Sequence, residues 1–161
     1  MPPAGPCIAV CGAGEGATAG ELAWAEEVGG LIAEAGAVLV CGGLGGVMEA
    51  ACRGARSRLG ETFAFLPGDR REDANGWVLH AVPTGMGQAR NVLVVRSADA
   101  LVAVGGGWGT LSEIALALRL GTPVVGVGTW ELRRDGGEVP GILAAADAGE
   151  AVARALELAR S

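Results

Sequence analysis

Two charged side chains and a run of glycines carry the chemistry legible in this sequence. The stretch Asp99-Ala-Leu-Val-Ala-Val-Gly-Gly-Gly-Trp-Gly-Thr-Leu-Ser-Glu113 reads as a buried strand, a glycine turn and the start of a helix. Gly105, Gly106, Gly107 and Gly109, with Trp108 between them and Thr110 opening the helix, can turn the backbone so that free N–H groups meet an anion with no side chain in the way. Upstream, Pro83-Thr-Gly-Met-Gly-Gln-Ala-Arg-Asn91 sets Arg90 in the first turn of an expected helix over residues 88–97, where the helix dipole disfavours a cation. A bound anion would offset that; so would a loop carbonyl or solvent, and charge alone does not separate these. Glu113 could stabilise positive charge growing on a substrate or activate water. With Thr110 it also has capping-box spacing, which recurs at Thr18 and Glu21 and, with aspartate first, at Asp147 and Glu150, so the same spacing equally describes a helix start.

Composition limits what such a site can be. The chain has 161 residues, half of them hydrophobic, with 29 glycines and a formal net charge of −6. That is one domain's worth of a compact fold, residues 1–161, with an irregular tail expected over residues 1–6. No basic run is present, so nucleic acid and an anionic membrane surface are not expected partners. Lysine and tyrosine are absent and His80 is the sole histidine, which excludes a phosphate-loop lysine, a Schiff-base lysine and a histidine-based zinc cluster. Cys7, Cys11, Cys41 and Cys52 lack C-x-x-C spacing and sit mostly among apolar residues, as reduced core cysteines of a cytoplasmic protein would; no metal site is expected. The N-terminus lacks the pattern of a signal peptide.

Strand and helix patterns alternate along the chain. Strands are expected at Cys7–Cys11, Ala37–Cys41, Thr62–Leu66, Trp77–Val82, Leu101–Val104 and Pro123–Val127, with an edge strand within Gly141–Ala146. Helices are expected at about 18–35, 46–59, 88–97, 110–120 and from Asp147 to near Arg160. The polar loop from Pro67 to Gly76 holds Asn75, read as a turn residue in preference to a ligand contact, and His80 is read as a core or rim residue. The helix after Thr110 is apolar nearly all round, so it is buried by the domain or by a second subunit. The sum is an α/β fold: a Rossmann-like doubly wound, mostly parallel sheet with helices on both faces and a ligand crevice at the carboxyl ends of its strands. Gly12, Gly14 and Ala17 match the dinucleotide fingerprint, yet the second strand runs into Gly42-Gly43-Leu44-Gly45-Gly46 with no carboxylate for a ribose. A tight turn or a single phosphate contact is the preferred reading of that loop.

The pattern Gly106-Gly107-x-Gly109-Thr110-x-x-Glu113, with Arg90 at a helix start, resembles the LOG (LONELY GUY) family, formerly labelled lysine decarboxylases. Ser97, Asp99 and Ala100 are similar to that family's Ser-Asp-Ala stretch, and Gly42 to Met48 to its second glycine loop. Within the superfamily, Gly85-Met-Gly-Gln-Ala-Arg-Asn91 and the short length look most like the molybdenum cofactor carrier branch. Two positions depart from LOG enzymes, which carry proline where this chain has Gly105 and lysine where it has Asn91. The resemblance implies a small phosphorylated ligand, either a pterin phosphate such as molybdenum cofactor or a nucleoside 5′-monophosphate, and a homodimer or homotetramer. For LOG-type chemistry it implies hydrolysis of the N-glycosidic bond, with Arg90 and Glu113 catalytic, no cofactor required, and Gly12, Gly14, Gly42, Gly43, Gly85, Asn91, Gly105–Gly107, Trp108, Gly109 and Thr110 around the ligand. Without a lysine the decarboxylase label fails.

Overall fold

Alternation of β-branched and small residues in the first strand already divides the molecule into two faces. In the computed structural model, which describes residues 5–161, β1 (Cys7–Gly12) turns Ile8 and Val10 toward one hydrophobic cluster and Ala9 and Cys11 toward another. The first cluster is closed by α1 (Ala19–Glu34), α2 (Val47–Ser57) and α5 (Ala148–Ala159), the second by α3 (Asn91–Arg96) and α4 (Trp108–Leu120). Between them lies one sheet built from β1, β2 (Val38–Cys41), β3 (Thr62–Leu66), β4 (His80–Pro83), β5 (Ala100–Val104), β6 (Val124–Val127) and β9 (Ile142–Ala144). Its order is β4-β3-β2-β1-β5-β6-β9, and every neighbouring pair is parallel. Both faces of β5 are buried throughout, which is why its sequence is continuously apolar.

The doubly wound fold is as expected, with the main sheet wholly parallel. From β1 the chain winds outward through β2, β3 and β4, then returns to the other side of β1 as β5 and continues to β6 and β9. The direction of winding reverses between β1 and β5, and a crevice opens at their carboxyl ends.

Several boundaries differ from the sequence expectation for local reasons. The helix expected over 88–97 is a 3₁₀ turn, Gly87–Arg90, followed by the short α3. The strand expected from Trp77 begins at His80, because Asn75 folds the chain first: its Oδ1 accepts the Trp77 N–H at 3.0 Å and its Nδ2 donates to the Leu44 carbonyl at 2.9 Å. Asn75 is thus a turn residue, and His80 lies at the rim, 2.8 Å from Glu61. The polar connection from Trp130 to Pro140 contains a small antiparallel pair, β7 (Arg133–Arg134) and β8 (Gly137–Glu138). The most consequential difference is α4, which starts at Trp108 with Gly107 as its cap residue, two positions before Thr110. Thr110 is the third helical residue, and no side chain caps this helix. One face of α4 is buried through Ile114 and Ala117, while Leu120 is exposed.

All four cysteines are free thiols and three are buried. Of the expected irregular tail, residues 1–4 lie outside the described residues, and residues 5 and 6 have no regular secondary structure. Among the described residues no helix is long and apolar enough to cross a membrane.

Candidate functional site

The crevice at the β1/β5 switch point is a cleft of about 250 Å³. Gly12, Ala13, Gly14 and Glu15 form one wall after β1, and Gly107, Gly109, Thr110 and Glu113 form another from the start of α4. Leu44 enters from the β2–α2 connection and Met48 from the start of α2, Gln88 and Arg90 from the turn before α3 and Asn91 from its first residue. Other hollows on the surface are larger, so volume does not single this one out. Its chemistry does: the two buried charged side chains among the described residues, Arg90 at 5% exposure and Glu113 at 8%, face it together.

Arg90 is held from three sides. Its Nε donates to the Phe65 carbonyl at the end of β3 at 2.9 Å, and its Nη1 donates to Asn91 Oδ1. Nη2 lies under Gly42, where a Cβ would come within 2.6 Å of it. Glycine is needed at position 42 to let the guanidinium pass. The carbonyl partner foreseen for Arg90 exists, and the guanidinium still has donors left to offer a ligand. Burial lowers the Arg90 pKa, while the nearby Glu113 carboxylate and the Cys41 thiol oppose that shift. Asn91, standing where LOG enzymes have lysine, ties two elements together: its Nδ2 donates to Ser112 Oγ at 3.1 Å, and that hydroxyl donates to the Gly109 carbonyl at 2.7 Å.

Glu113 occupies the second turn of α4, beyond the reach of any capping role, since the helix is already under way at Trp108. Of the two readings left open by the Thr110–Glu113 spacing, the capping box is therefore absent. The other two spacings do cap: Thr18 and Glu21 form a complete box, and Asp147 accepts from the Glu150 N–H at 2.8 Å. Burial raises the Glu113 pKa to about 7, with Arg90 and the Cys11 thiol beside it pulling the other way. Arg90 and Glu113 influence each other's charge, form no ion pair within 4 Å, and both line the cleft.

Which helix end can receive an anion follows from what already occupies each one. At α1 the capping box fills the position, and the Glu21 carboxylate lies against Gly105 so closely that a Cβ there would overlap it at 1.9 Å. A carboxylate at that spot repels phosphate, so the dinucleotide mode suggested by Gly12, Gly14 and Ala17 is closed. Gly12 instead permits close packing, its missing Cβ lying 2.4 Å from the Val104 carbonyl. At α2 the Val47 N–H is taken by the Ala13 carbonyl at 2.9 Å. The start of α4 has neither a side-chain cap nor an acidic residue in its first turn. Its leading N–H groups lack intrahelical partners by helix geometry.

The residues foreseen around a ligand separate into groups. Gly12, Gly14, Arg90, Asn91, Gly107, Gly109, Thr110 and Glu113 line the cleft. Gly42 supports it from behind, and Gly43, at φ +78°, packs on Leu66 and Ala64. Gly85 lies outside the lining, its N–H donated to the Gly68 carbonyl. Gly105 and Gly106 face a different hollow, shared with Glu21, Gly128, Thr129, Trp130 and Glu131. Trp108 turns away from the cleft and packs against Trp130 with ring centroids 5.4 Å apart. Cys11, Met48, Gln88 and Ser112 were not foreseen. Met48, Gln88 and Ser112 lie in stretches already singled out, but their own residue types carried no signal beside the glycines and charges around them, and Cys11 read as a core residue of the first strand.

Solved structures share this arrangement of elements. The molybdenum cofactor binding protein of the phototrophic bacterium Rippkaea orientalis superposes with a TM-score of 0.85 at 36% identity, covering 93% of this chain and 94% of that one. The molybdenum cofactor carrier protein of Chlamydomonas reinhardtii gives 0.85 at 35% identity, over 98% and 99% of the two chains. An uncharacterized protein of Archaeoglobus fulgidus is 54% identical over 101 residues, a match spanning 62% of this chain and 66% of that one. The family model described as SLOG cluster4 matches residues 6–152, from the start of β1 through the glycine turn and into α5. With that span, the chain belongs to the SLOG cluster4 family.

Proposed function

We propose that this protein binds a small phosphorylated ligand, its phosphate at the start of α4 and beside Arg90, in the manner of a molybdenum cofactor carrier. The observation that carries the reading is the uncapped N-terminus of α4 opening on a cleft that also holds a buried arginine. Unpaired N–H groups and the helix dipole favour an anion, and a guanidinium fixed by Phe65 and Asn91 adds charge-assisted donors without further loss of side-chain freedom. A pterin phosphate fits the same donor set as a nucleotide, and resemblance to proteins that bind or carry molybdenum cofactor favours the pterin. Calorimetric titration with a pterin monophosphate and with GMP tests this. Arg90→Ala should weaken binding by roughly ten- to a hundredfold, as for loss of charge-assisted hydrogen bonds. Wild-type affinity in that variant overturns the proposal.

One observation favours hydrolysis as a second reading. A carboxyl group with a pKa of about 7 facing the cleft can serve as acid or base near neutrality. With a nucleoside 5′-monophosphate bound, Glu113 would take a proton from water as its oxygen bonds to the sugar C1′. The C1′–N bond breaks, its electron pair goes to the base, and the proton taken by Glu113 is returned to the departing base, giving ribose 5-phosphate and the free carboxylate. Release of free base from AMP, GMP or CMP, abolished in Glu113→Gln, is the expected result; no release from the panel overturns it.

A further inference from the structure

The hollow on the far side of the glycine turn has no part in the site described so far. Trp130 lines it, and Trp108, outside the lining, packs against Trp130 with rings 5.4 Å apart and inclined at 36°. Trp108 is 79% exposed, an unusual state for the largest side chain, whose apolar surface is poorly served by water. Trp130 is fixed: its indole N–H donates to the Gly107 carbonyl at 3.3 Å, and the neighbouring Thr129 hydroxyl is bonded to the Gly105 carbonyl. The hollow beside Trp130, about 360 Å³, is lined by Gly105 and Gly106 and carries two carboxylates, Glu21 and Glu131. Glu21 is engaged with the Thr18 N–H; Glu131 is exposed at the edge.

We infer that Trp108 and Trp130 form a stacking platform for a planar, amino-bearing heterocycle, with Glu131 accepting hydrogen bonds from its N–H edge. The inference rests on the phosphate reading above, because the platform and the phosphate seat share a backbone. Trp108 is the first residue of α4, so its N–H belongs to the seat while its ring belongs to the platform. Gly107 lines the cleft and its carbonyl anchors Trp130. In this reading the ligand's phosphate and ring lie on opposite sides of the turn, joined by a short linker. Stacking is indifferent to the identity of the ring, since every such ring presents a π face. Discrimination must then come from the edge, where a carboxylate accepts hydrogen bonds and offers no donor while it is ionised. Rings with an N–H and amino edge, guanine or a pterin, are selected over rings without one.

Titrations with GMP, IMP and ribose 5-phosphate separate the parts, because IMP lacks the 2-amino group and ribose 5-phosphate lacks the ring. The wild-type protein should bind GMP about tenfold or more tightly than ribose 5-phosphate, with IMP between. Trp108→Ala, at an exposed position, should bring GMP to the affinity of ribose 5-phosphate, while Trp108→Phe keeps most of the gain. Glu131→Gln should close the gap between GMP and IMP and leave ribose 5-phosphate unchanged. Equal binding of GMP and ribose 5-phosphate by the wild-type protein, or an unaltered ratio in Trp108→Ala, overturns the platform; an unaltered GMP-to-IMP ratio in Glu131→Gln overturns the edge contact. Failure of the phosphate reading looks different: Arg90→Ala would leave ribose 5-phosphate binding untouched, whatever the ring contributes.

Discussion

Glu113 stores a pH dependence in the fold. Its carboxyl ionises near pH 4.5 in an unfolded chain and at about 7 in the folded protein, because burial disfavours the charged form more than Arg90 and Cys11 favour it. Between those values the folded protein holds a proton that the unfolded chain has released, so stability falls as pH rises through this window. Below it both states are protonated and the group is neutral with respect to folding. Above it the cost levels off at about 3 kcal/mol, taking each pKa unit as about 1.4 kcal/mol. Glu113→Gln keeps the shape and removes the charge. The variant should match the wild type in denaturant unfolding near pH 4 and exceed it by about 3 kcal/mol at pH 8. Equal stability of the two proteins at pH 8 would show that the carboxylate is better solvated than its 8% exposure implies. This carboxyl is the group that the proposed hydrolysis calls on as its base.

Elements decide which residues meet, and they were legible to different degrees. The strand at Ala100–Val104 and the glycine turn after it were readable because five consecutive small or branched apolar residues have few homes other than a central parallel strand. The start of α4 was not, because the cap at Gly107 is made by backbone alone and Thr110 supplied a better-known signal. The Thr-x-x-Glu spacing is also that of two residues one turn apart inside a helix, so pattern cannot separate the cases. The contact between α1 and α2 was equally hidden. Gly29 faces the Ala51 carbonyl and Gly54 the Glu26 carbonyl, with missing Cβ atoms 1.8 and 1.9 Å from those oxygens, so the two helices cross at backbone contact. Nothing in an isolated glycine within a helical pattern announces a partner. Gly54→Ala should push α1 from α2 and destabilise the protein by about 3 kcal/mol or more, in the upper range for overpacking. The helix starts that form the cleft lie elsewhere, so GMP affinity of the remaining folded protein should stay within twofold of wild type. A larger loss would mean that the α1–α2 spacing is transmitted to the cleft through the loop after β1.

At the scale of the whole molecule, the net charge and the topology act against each other. A chain of net charge −6 repels anions at long range, and its sequence has no basic run to compensate. The topology answers locally, since reversing the winding between β1 and β5 brings the uncapped end of α4 and the buried Arg90 to the same crevice. Such a seat discriminates by short hydrogen bonds, which salt screens far less than it screens exposed charges. Binding at the proposed seat would also link to folding, because the seat exists only when the elements supplying it are assembled. At a free GMP concentration about a hundredfold above its dissociation constant, the folded state gains about 2.7 kcal/mol. For a chain of this length, that raises the melting temperature by roughly 5–10 °C. The rise should persist from 10 to 150 mM NaCl and vanish in Arg90→Ala when GMP is held at the same concentration. A shift that disappears at 150 mM NaCl in the wild-type protein would place the anion on exposed charges and not in the cleft.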